Sequence, residues 1–526
     1  MFDTTLNRRN LVKAGLAGAA CVGMASAAPA LANEAGALNQ LWNPEVPQTW
    51  GRTCEVLVLG CGIAGACAAV EAYDLGGDVL VVDAADDVTD CSCTLSGGWL
   101  CGVGTSLQEE DGIEDDIEVF ISDMRVDGGD AGDPEIIRAW GEISGETIDW
   151  LEELGCDVVP RTYDARLTAG SNSHSIARDY ITNPAGNGLG WMEGLKAAIE
   201  ERGIPMMQST KATKLYRDAS GRVVGAHVEA MDGSSAEDIN ATKGVIFAVG
   251  GLGRNLEAHA RYTPAMRSIV EDAPRVLFSC SPNCLGLGYD MAREIGAYVF
   301  NSPATQGNSV MVTADGESDG WLPFIWSAQE ALIEVNLDGE RFCDETSFEQ
   351  NYNQKLWQNQ PNKQTVLIID DATRASENGQ TYVQASIDTA TSEGVDSIQC
   401  ADSLEELAAL YGIPAETLLA TVEDFNARVD SQEPDAYGRT AFARKLETPP
   451  FWGARTDTVV GISKGGCKIN AGAQVLDVFD QPIPGFYAAG EIAFQQIHGD
   501  ARTHIVGGPN SSGACYGRIA ARSILA

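Results

Sequence analysis

The sequence contains few of the residues that bind metals and haems. Its 526 residues include only five histidines, and neither an H-E-x-x-H nor a C-x-x-C-H motif occurs. The closest cysteine pairs are Cys91 with Cys93 and Cys280 with Cys284, and neither has a second pair at the spacing of zinc or iron–sulfur ligands. We therefore predict no metal site and no c-type haem in this chain.

Basic residues are also scarce. Lysine and arginine together number 35 against 75 aspartates and glutamates, so the formal net charge is −40. A surface of this charge repels nucleic acid and anionic membranes, and it attracts cationic partners such as a basic electron-transfer protein. The same acidity also serves solubility alone, and composition does not separate the two interpretations.

Apolar runs long enough to span a bilayer are absent beyond the N-terminal region. There, a twin-arginine pattern at Asn7–Lys13 precedes a short run rich in alanine and glycine, and Ala30–Ala32 offers an A-x-A cleavage site. We predict a twin-arginine signal over residues 1–32, export to the periplasmic or extracytoplasmic face of the envelope, and no stable membrane span after cleavage. The alternative is a retained membrane anchor. The rest of the chain is long enough for two domains.

The most informative motif lies between residues 54 and 83. An apolar run ends in G-C-G-I-A-G, an alanine-rich helical pattern follows, and a second apolar run ends in Asp83. This is the strand, glycine turn, helix and strand of a dinucleotide-binding unit. Gly60 permits the tight turn, Gly62 lets the backbone approach a pyrophosphate, and Gly65 lets helix and strand pack closely. Asp83 is placed to accept a hydrogen bond from a ribose hydroxyl.

Further glycine-rich segments extend this pattern along the chain. They are Ser96–Trp99, Gly102–Gln108, Gly244–Asn255, Ile483–Glu491 and Gly507–Gly513. The last one opens a helical pattern, so its free N–H groups can face an anion or an electron-rich ring edge. Because the segments extend from the first motif to the C-terminal end, they indicate one extended cofactor held by both ends of the chain.

With these segments the sequence resembles the FAD-binding fumarate reductase and 3-ketosteroid Δ1-dehydrogenase flavoproteins over nearly the whole chain beyond the signal. The blocks that carry the resemblance are VLVLGCGIAGACAA, SGGWLCGVGTSLQ, VIFAVGGLGRNLEAHARYTP, GLGYDMAREIGA, VNLDGERFCDE, GIPAETLLATVEDFNARV, PPFWGAR and IPGFYAAGEI. The resemblance implies non-covalent FAD and an α/β fold. In that fold a Rossmann-like FAD-binding domain, built from residues 50–301 and 459–526, carries an inserted, smaller α+β capping domain, residues 302–458.

The same resemblance implies which residues contact the cofactor. They are Gly60, Gly62, Ala64, Gly65, Asp83, Ser96, Gly97, Gly98, Ala212, Ala248, Gly250, Gly490, Glu491, Gly508, Ser511 and Ser512. Within the cap, apolar spacing over 404–429 predicts two helices separated by a turn at Gly412–Pro414, and residues 365–370 read as a short strand. A cap that closes over a flavin excludes water and positions the substrate.

The substrate site departs from the fumarate reductase pattern at three places. That family has a proton-donating arginine eight residues beyond the arginine of its G-x-R-F-x-x-E block, where this chain has Glu349. It holds a substrate carboxylate with a histidine pair, here Ser463 and Lys464, and with an arginine before the C-terminal glycine pair, here within Ile505–Val506. Without these cationic residues, the negative charges of a dicarboxylate are poorly compensated once water is excluded. The pattern therefore disfavours fumarate and succinate as substrates.

The ketosteroid dehydrogenases match only in part, because their tyrosine before a C-terminal glycine–proline run is missing. This chain has instead the polar insertion H-G-D-A-R-T-H, in which Arg502 and His504 are candidate catalytic residues that donate a proton or hold a carbonyl oxygen. The alternative is a solvated loop paired with acidic neighbours. Tyr180 is a third candidate, because it falls near a family segment that lines the active site, and its alternative is a packed aromatic with a satisfied hydroxyl. Glu349 and Tyr352 are further candidates.

We therefore expect an FAD-dependent oxidoreductase acting on CH–CH or C=C groups. The favoured reaction is hydride transfer from flavin N5 to an activated C=C bond of a neutral or weakly charged organic acceptor, of enone, steroid or aromatic acrylate type. Electrons are expected from a separate cytochrome or quinol-linked donor, since no second redox centre is visible. Two alternatives stay open: a ketosteroid-type dehydrogenase running in the oxidative direction, and a non-catalytic flavin- or ligand-binding protein.

Overall fold

The computed structural model describes residues 46–127, 130–160, 175–183, 188–263, 273–302, 308–314, 330–346, 359–498 and 507–526. The predicted signal sequence lies outside these residues. In this part of the chain no helix combines the length and the apolar character needed to cross a membrane. The same residues contain no cluster of three or more histidine, cysteine, aspartate or glutamate side chains suited to a metal ion.

The strands of the described residues belong to four sheets. They are β1 (Arg52–Leu59), β2 (Val79–Val82), β3 (Leu100–Cys101), β4 (Val158–Pro160), β5 (Asp179–Thr182), β6 (Met206–Met207), β7 (Thr210–Arg217), β8 (Val223–Ala230), β9 (Ala236–Phe247), β10 (Val276–Phe278), β11 (Val299–Phe300), β12 (Asn308–Val310), β13 (Leu332–Asn336), β14 (Thr365–Asp370), β15 (Ile398–Ala401), β16 (Phe451–Val460), β17 (Gly466–Cys467), β18 (Gln474–Leu476) and β19 (Pro482–Ala488).

The α-helices connect and cover these sheets. They are α1 (Ile63–Asp74), α2 (Ser106–Glu110), α3 (Ile117–Asp127), α4 (Pro134–Glu153), α5 (Leu189–Arg202), α6 (Leu256–Tyr262), α7 (Leu287–Glu294), α8 (Asp371–Arg374), α9 (Gln384–Glu393), α10 (Leu404–Tyr411), α11 (Ala415–Ser431), α12 (Gln495–His498) and α13 (Gly508–Leu525). Short 3₁₀ turns lie at Pro361–Lys363 and Gly490–Ile492, and a π turn lies at Gly379–Val383.

The larger sheet is built around the parallel pair β1 and β2. Val56–Leu59 pair with Val79–Val82, and β9 pairs with the other edge of β1. The order along the sheet is β18-β19-β9-β1-β2-β6, and β7 and β8 extend it from β9. The two central apolar runs are buried, as is usual for parallel strands.

Both ends of the chain contribute to this sheet. β19 pairs in parallel with β9 through Phe486–Ala488, and α13 packs along α1. The two helices approach closely because Gly517 has no side chain, and a Cβ there would lie 2.1 Å from the carbonyl oxygen of Ala64. Arg518 adds a buried ion pair to Glu71 of α1, with 2.8 Å between Nε and Oε2. The predicted α/β fold, with its sheet made from both ends of the chain, is confirmed.

A second sheet comes mainly from the middle of the chain. Its order is β10-β16-β14-β13, and β12 and β15 also pair with β16. α10 and α11 pack with it in a separate apolar core. β14 confirms the strand predicted at 365–370, and α10 and α11, separated at Gly412 with φ +70°, confirm the predicted helix pair. β10 precedes residue 301 yet joins this sheet, so the proposed boundary at 301/302 stays a prediction.

The G-E-R-F-C-D-E block forms a buried ion cluster beside β13. Glu345 has no exposed side-chain surface, and its Oε2 lies 2.6 Å from Arg341 Nη2 and 3.0 Å from Arg439 Nη1. Asp435 pairs with Arg341 at 2.8 Å. Burial acts to raise the pKa of Glu345, but the two arginines hold it below its ordinary value. The carboxylate therefore stays charged and connects two distant segments of the chain.

Candidate active site

A cavity of about 590 Å³ lies at the carboxyl ends of the parallel strands β1, β2, β9 and β19. Its wall includes the residue that follows each strand: Gly60 after β1, Asp83 after β2, Ala248 after β9 and, one residue further, Gly490 after β19. Open α/β sheets bind their ligands at these strand ends. The cavity is therefore the candidate cofactor site.

The glycine turn after β1 leaves no room for side chains. Gly60 has φ +93°, and a Cβ on it would lie 2.2 Å from the carbonyl oxygen of Ala248. A Cβ on Gly65 would lie 1.8 Å from the carbonyl oxygen of Gly60. Gly62 precedes α1 and gives it no side-chain cap, so the N–H groups of the first turn can bind an anion. The turn has the shape and the donors that a pyrophosphate requires.

Asp83 connects the glycine turn to β2. Its carboxylate accepts hydrogen bonds from the backbone N–H of Cys61 and, at 2.7 Å, from that of Ala85. Burial raises the pKa of Asp83, and these two hydrogen bonds act in the opposite direction. Asp83 also forms part of the cavity wall, at the position expected to meet a ribose hydroxyl.

The C-terminal helix begins at the same cavity. Gly507, with φ +70°, precedes α13, and the wall includes Gly507, Pro509, Asn510 and Gly513. Asn510 Nδ2 donates to Ser96 Oγ at 3.0 Å, which joins the helix start to the S-G-G segment. Two glycine segments that are far apart in sequence therefore meet in one wall.

Glu491 is a fully buried carboxyl group in the wall. The backbone N–H of Ser463 donates to Glu491 Oε1 at 2.6 Å, and the Ser463 hydroxyl donates to the same oxygen at 2.7 Å. Burial raises the pKa of Glu491 to about 8, the charge of Cys284 acts in the same direction, and the Ser463 hydrogen bonds oppose both. Glu491 therefore changes its charge near neutral pH.

Most of the predicted cofactor residues line this cavity. They are Gly60, Gly62, Ala64, Asp83, Ser96, Gly97, Gly98, Ala212, Ala248, Gly250, Gly490 and Glu491. Gly65 lies behind the wall as a spacer, and Gly508, Ser511 and Ser512 are outside the lining. The Ser511 hydroxyl donates to the carbonyl oxygen of Cys101 at 2.5 Å and accepts from Trp140 Nε1 at 2.9 Å, so this side chain packs α13.

Of the three predicted catalytic residues, Tyr180 alone lies in the described part of the chain. Tyr180 on β5 is 2 % exposed, and its hydroxyl lies 2.5 Å from Thr105 Oγ1. Burial raises the pKa of Tyr180 to about 12. The cavity lining includes the adjacent Ile181 but not Tyr180, which favours the packed-aromatic interpretation. Arg502 and His504 lie outside the described residues, as do Glu349 and Tyr352.

One of the three positions that depart from the fumarate reductase pattern is described. Lys464 is 6 % exposed, and its backbone N–H donates to Ser302 Oγ at 2.8 Å. A Cβ on Gly465 would lie 2.8 Å from the backbone nitrogen of Ser302. The segment after β16 is therefore packed tightly against residue 302, and it places a buried lysine next to Ser463.

Sequence reasoning missed four cysteines in the wall: Cys91, Cys93, Cys280 and Cys284. A usable signal exists for the first pair, because Cys91 and Cys93 lie a few residues before the S-G-G segment that is expected to hold the cofactor. The second pair precedes G-L-G at 286–288, which the sequence pattern did not assign to the cofactor.

The wall fits a dinucleotide such as FAD. It contains several glycines with positive φ, a conformation that other residues adopt only with strain: Gly60, Gly98, Gly250 and Gly490. It also contains the start of α1 for a pyrophosphate, Asp83 for a ribose, and the start of α13 for a ring edge. These donors and acceptors are of the types that the pyrophosphate, the ribose and the flavin ring of FAD require.

Comparison with known proteins agrees with this chemistry. The family model described as FAD binding domain matches residues 55–504. A protein of Shewanella frigidimarina (strain NCIMB 400) described as a probable fumarate reductase is 28% identical over 471 residues, which cover 89% of this chain and 74% of that protein. The urocanate reductase of Eggerthella lenta is 28% identical over 498 residues, covering 92% of this chain and 76% of that protein.

A solved structure is similar over most of the chain. The open conformation of a flavocytochrome c3 fumarate reductase matches with a TM-score of 0.73 and 26% sequence identity. The match covers 96% of this chain and 81% of that chain. The likeness therefore extends beyond the cofactor domain to the second sheet.

Proposed function

The chain belongs to the FAD binding domain family, and on that premise we propose that it is an exported, FAD-dependent reductase of activated C=C bonds. One observation carries the proposal: a single cavity joins the glycine turn at Gly60 to the start of α13 at Gly507. Such a cavity would hold an extended dinucleotide along its whole length. The similarity to a urocanate reductase and to fumarate reductases supports the reductive direction.

The described residues have separate tasks in this proposal. When bound, FAD supplies hydride transfer at N5 of its flavin ring. Gly60, Gly62 and the first turn of α1 would hold the pyrophosphate, and Asp83 would accept from a ribose hydroxyl. The positive end of the α13 dipole would stabilise negative charge at the ring edge. Glu491, fixed by Ser463, would accept from a cofactor hydroxyl.

The proposed acceptor is neutral or carries one negative charge. Two of the three places where fumarate reductases hold a cation contain Glu349 and the Ile505–Val506 dipeptide, which have none. The third contains Lys464, whose side chain is buried and outside the cavity lining. A dicarboxylate would therefore leave negative charge uncompensated in a water-poor site. Enones, steroids and aromatic acrylates are neutral or carry one negative charge, as the proposed acceptor does.

In the proposal, the proton comes from the H-G-D-A-R-T-H insertion and the electrons come from a separate donor. Arg502 or His504 would protonate the carbon next to the activating group. The electrons would come from a separate cytochrome or quinol-linked donor, because the chain has no C-x-x-C-H motif for a haem of its own. A donor with a basic surface fits the net charge of −40. Export would follow from the twin-arginine pattern, with the enzyme acting outside the cytoplasmic membrane.

A steady-state assay tests the substrate class and the proton donor. Reduced viologen is the electron source, and the acceptors are an enone steroid, cinnamate, urocanate and fumarate. We expect kcat/KM for at least one neutral or monoanionic acceptor to exceed that for fumarate by about a hundredfold. Arg502→Gln or His504→Asn should lower kcat, while the flavin content stays unchanged. A preference for fumarate would contradict the proposed substrate class, and two fully active variants would exclude both residues as proton donors.

A further inference from the structure

The cavity wall contains a thiol pair that the proposed reaction does not use. Cys280 and Cys284 lie on the loop between β10 and α7, and both are free. They are 1 % and 5 % exposed, respectively, and both line the cavity. A tight turn separates them, in which the backbone N–H of Cys284 donates to the carbonyl oxygen of Ser281 at 3.0 Å. Small reagents therefore reach this pair through the cavity rather than from the outer surface.

A hydrogen-bond donor lies at the sulfur of Cys284. Ser92 Oγ lies 3.3 Å from Cys284 Sγ, and the backbone N–H of Ser281 donates to that oxygen at 3.1 Å. The Ser92 hydroxyl is therefore free to donate its own proton to the sulfur. A hydroxyl donor at the sulfur stabilises a thiolate.

The charged neighbours of the pair act in both directions. Arg254 is held beside it, because its Nε donates to the carbonyl oxygen of Cys280 at 3.1 Å and its backbone N–H to that of Cys284 at 2.9 Å. Glu491 faces the pair with a carboxyl group. The hydrogen bond from Cys280, together with Ser92, Gly251 and Arg254, lowers the pKa of Cys284 against the effect of burial. Cys280, as the donor, has a raised pKa.

We propose that Cys280 and Cys284 form a redox-active dithiol in the cofactor cavity, with Cys284 as the attacking thiol and Cys280 as the resolving thiol. The oxidant is a low-molecular-weight disulfide, R–S–S–R. The Cys284 thiolate attacks one of its sulfurs, forms a mixed disulfide and releases R–S⁻. Cys280 then loses its proton to solvent and attacks the Cys284 sulfur. The Cys280–Cys284 disulfide forms and the second R–S⁻ leaves.

Bound FAD shields the dithiol in this scheme. The cofactor would fill the cavity through which the reagent arrives. Its negative pyrophosphate also disfavours a thiolate in the same wall, and this coupling is reciprocal. The dithiol is therefore oxidised in the cofactor-free protein and protected in the loaded protein.

Thiol mapping by mass spectrometry tests the proposal. Cofactor-free and FAD-loaded protein are each exposed to oxidised glutathione, quenched with iodoacetamide and digested. We expect a Cys280–Cys284 disulfide in the cofactor-free protein, formed at least about tenfold faster than in the loaded protein. Cys280→Ser should trap a glutathione adduct on Cys284, and Cys284→Ser should leave Cys280 unmodified. Cys467 and Cys515, buried with raised pKa values, are internal references, and exposed Cys400 reports accessible thiols.

A second measurement uses the wild-type protein alone, so that it does not depend on the folding of a variant. The rate of iodoacetamide alkylation at Cys284 is followed against pH in the cofactor-free protein. The rate should rise at lower pH than that of Cys400, whose pKa is raised by burial. If Cys284 reacts no faster than Cys515, or if no Cys280–Cys284 disulfide forms, the dithiol is refuted. Equal rates in loaded and cofactor-free protein would refute the shielding.

Discussion

Ser463 holds the carboxyl group of Glu491 through both its backbone N–H and its hydroxyl, at 2.6 and 2.7 Å from the same oxygen. Glu491 follows β19 of the larger sheet, whereas Ser463 follows β16 of the second sheet. The contact therefore joins the segment that follows β16 of the second sheet to the wall of the cofactor cavity. Glu491 is buried and its pKa is raised to about 8. The carboxyl group in this contact therefore gains or loses its proton near neutral pH.

Replacing Glu491 with glutamine should remove a pH dependence of stability. In the wild type the folded state keeps the Glu491 proton between pH 4.5, the ordinary pKa of a glutamate, and about pH 8, whereas the unfolded state has lost it. The free energy of unfolding therefore falls as pH rises through this window. Glutamine keeps the acceptor oxygen for Ser463 but does not ionise. Urea unfolding of cofactor-free protein should show the variant gaining stability over the wild type between about pH 5 and about pH 9.

Ser463→Ala is the matched comparison for this experiment. It removes the hydroxyl donor and keeps the backbone N–H, so the pKa of Glu491 should rise further and the pH dependence should extend to higher pH. Parallel pH–stability profiles for the wild type and Glu491→Gln would show that Glu491 is not the group responsible.

Gly65→Ala should abolish tight cofactor binding. The added Cβ would lie 1.8 Å from the carbonyl oxygen of Gly60, so the glycine turn must move. We expect the FAD affinity to fall by more than about tenfold, measured by flavin fluorescence on titration of cofactor-free protein. Gly472→Ala is the control, because its Cβ would meet only side-chain atoms, Ser523 Oγ at 3.3 Å and Asn470 Oδ1 at 3.4 Å. Equal flavin affinity in the two variants would contradict the assigned role of the turn.

Glu345→Gln should destabilise the second sheet and its helices. The substitution leaves Arg341 and Arg439 buried without their shared carboxylate. The expected loss is about 3 kcal/mol of unfolding free energy, because an uncompensated buried charge is costly. Asp430→Asn breaks an exposed pair with Lys445 and should leave the free energy of unfolding nearly unchanged. Denaturant unfolding compares the two, and similar small losses would mean that the cluster is not strongly stabilising.

Tyr180→Phe should affect stability rather than turnover. Among the described residues, the variant loses only the contact between the Tyr180 hydroxyl and Thr105. We expect about 1 kcal/mol of lost stability and kcat within about twofold of the wild type. A large fall in kcat at unchanged flavin content would restore Tyr180 as a catalytic candidate.

The local parts of the site could be predicted from the sequence, and the long-range parts could not. The glycine turn, α1 and Asp83 were recognisable because glycine spacing and apolar runs are local signals. Ser511 was expected to contact the cofactor, yet its hydroxyl is used by Cys101 and Trp140. No local pattern encodes that packing, because the partners lie hundreds of residues away.

The sheet that contains β10 and the environment of Cys284 also depend on long-range contacts. β10 joins the second sheet by pairing with β16, a contact between segments far apart in the chain. Cys284 acquires its unusual environment from Ser92, on another loop. Such environments arise from tertiary packing, so they become visible only when the fold is known.

Anaerobic stopped-flow mixing tests the central claim most directly. The FAD-loaded protein is photoreduced and mixed with cinnamate or an enone steroid, and the flavin absorbance is followed against saturated analogues of the same acceptors. We predict saturable reoxidation by at least one unsaturated acceptor, with one reduced C=C bond formed per flavin, and no reoxidation by its saturated analogue. Equal reoxidation by both members of every pair, or by none, would contradict the account.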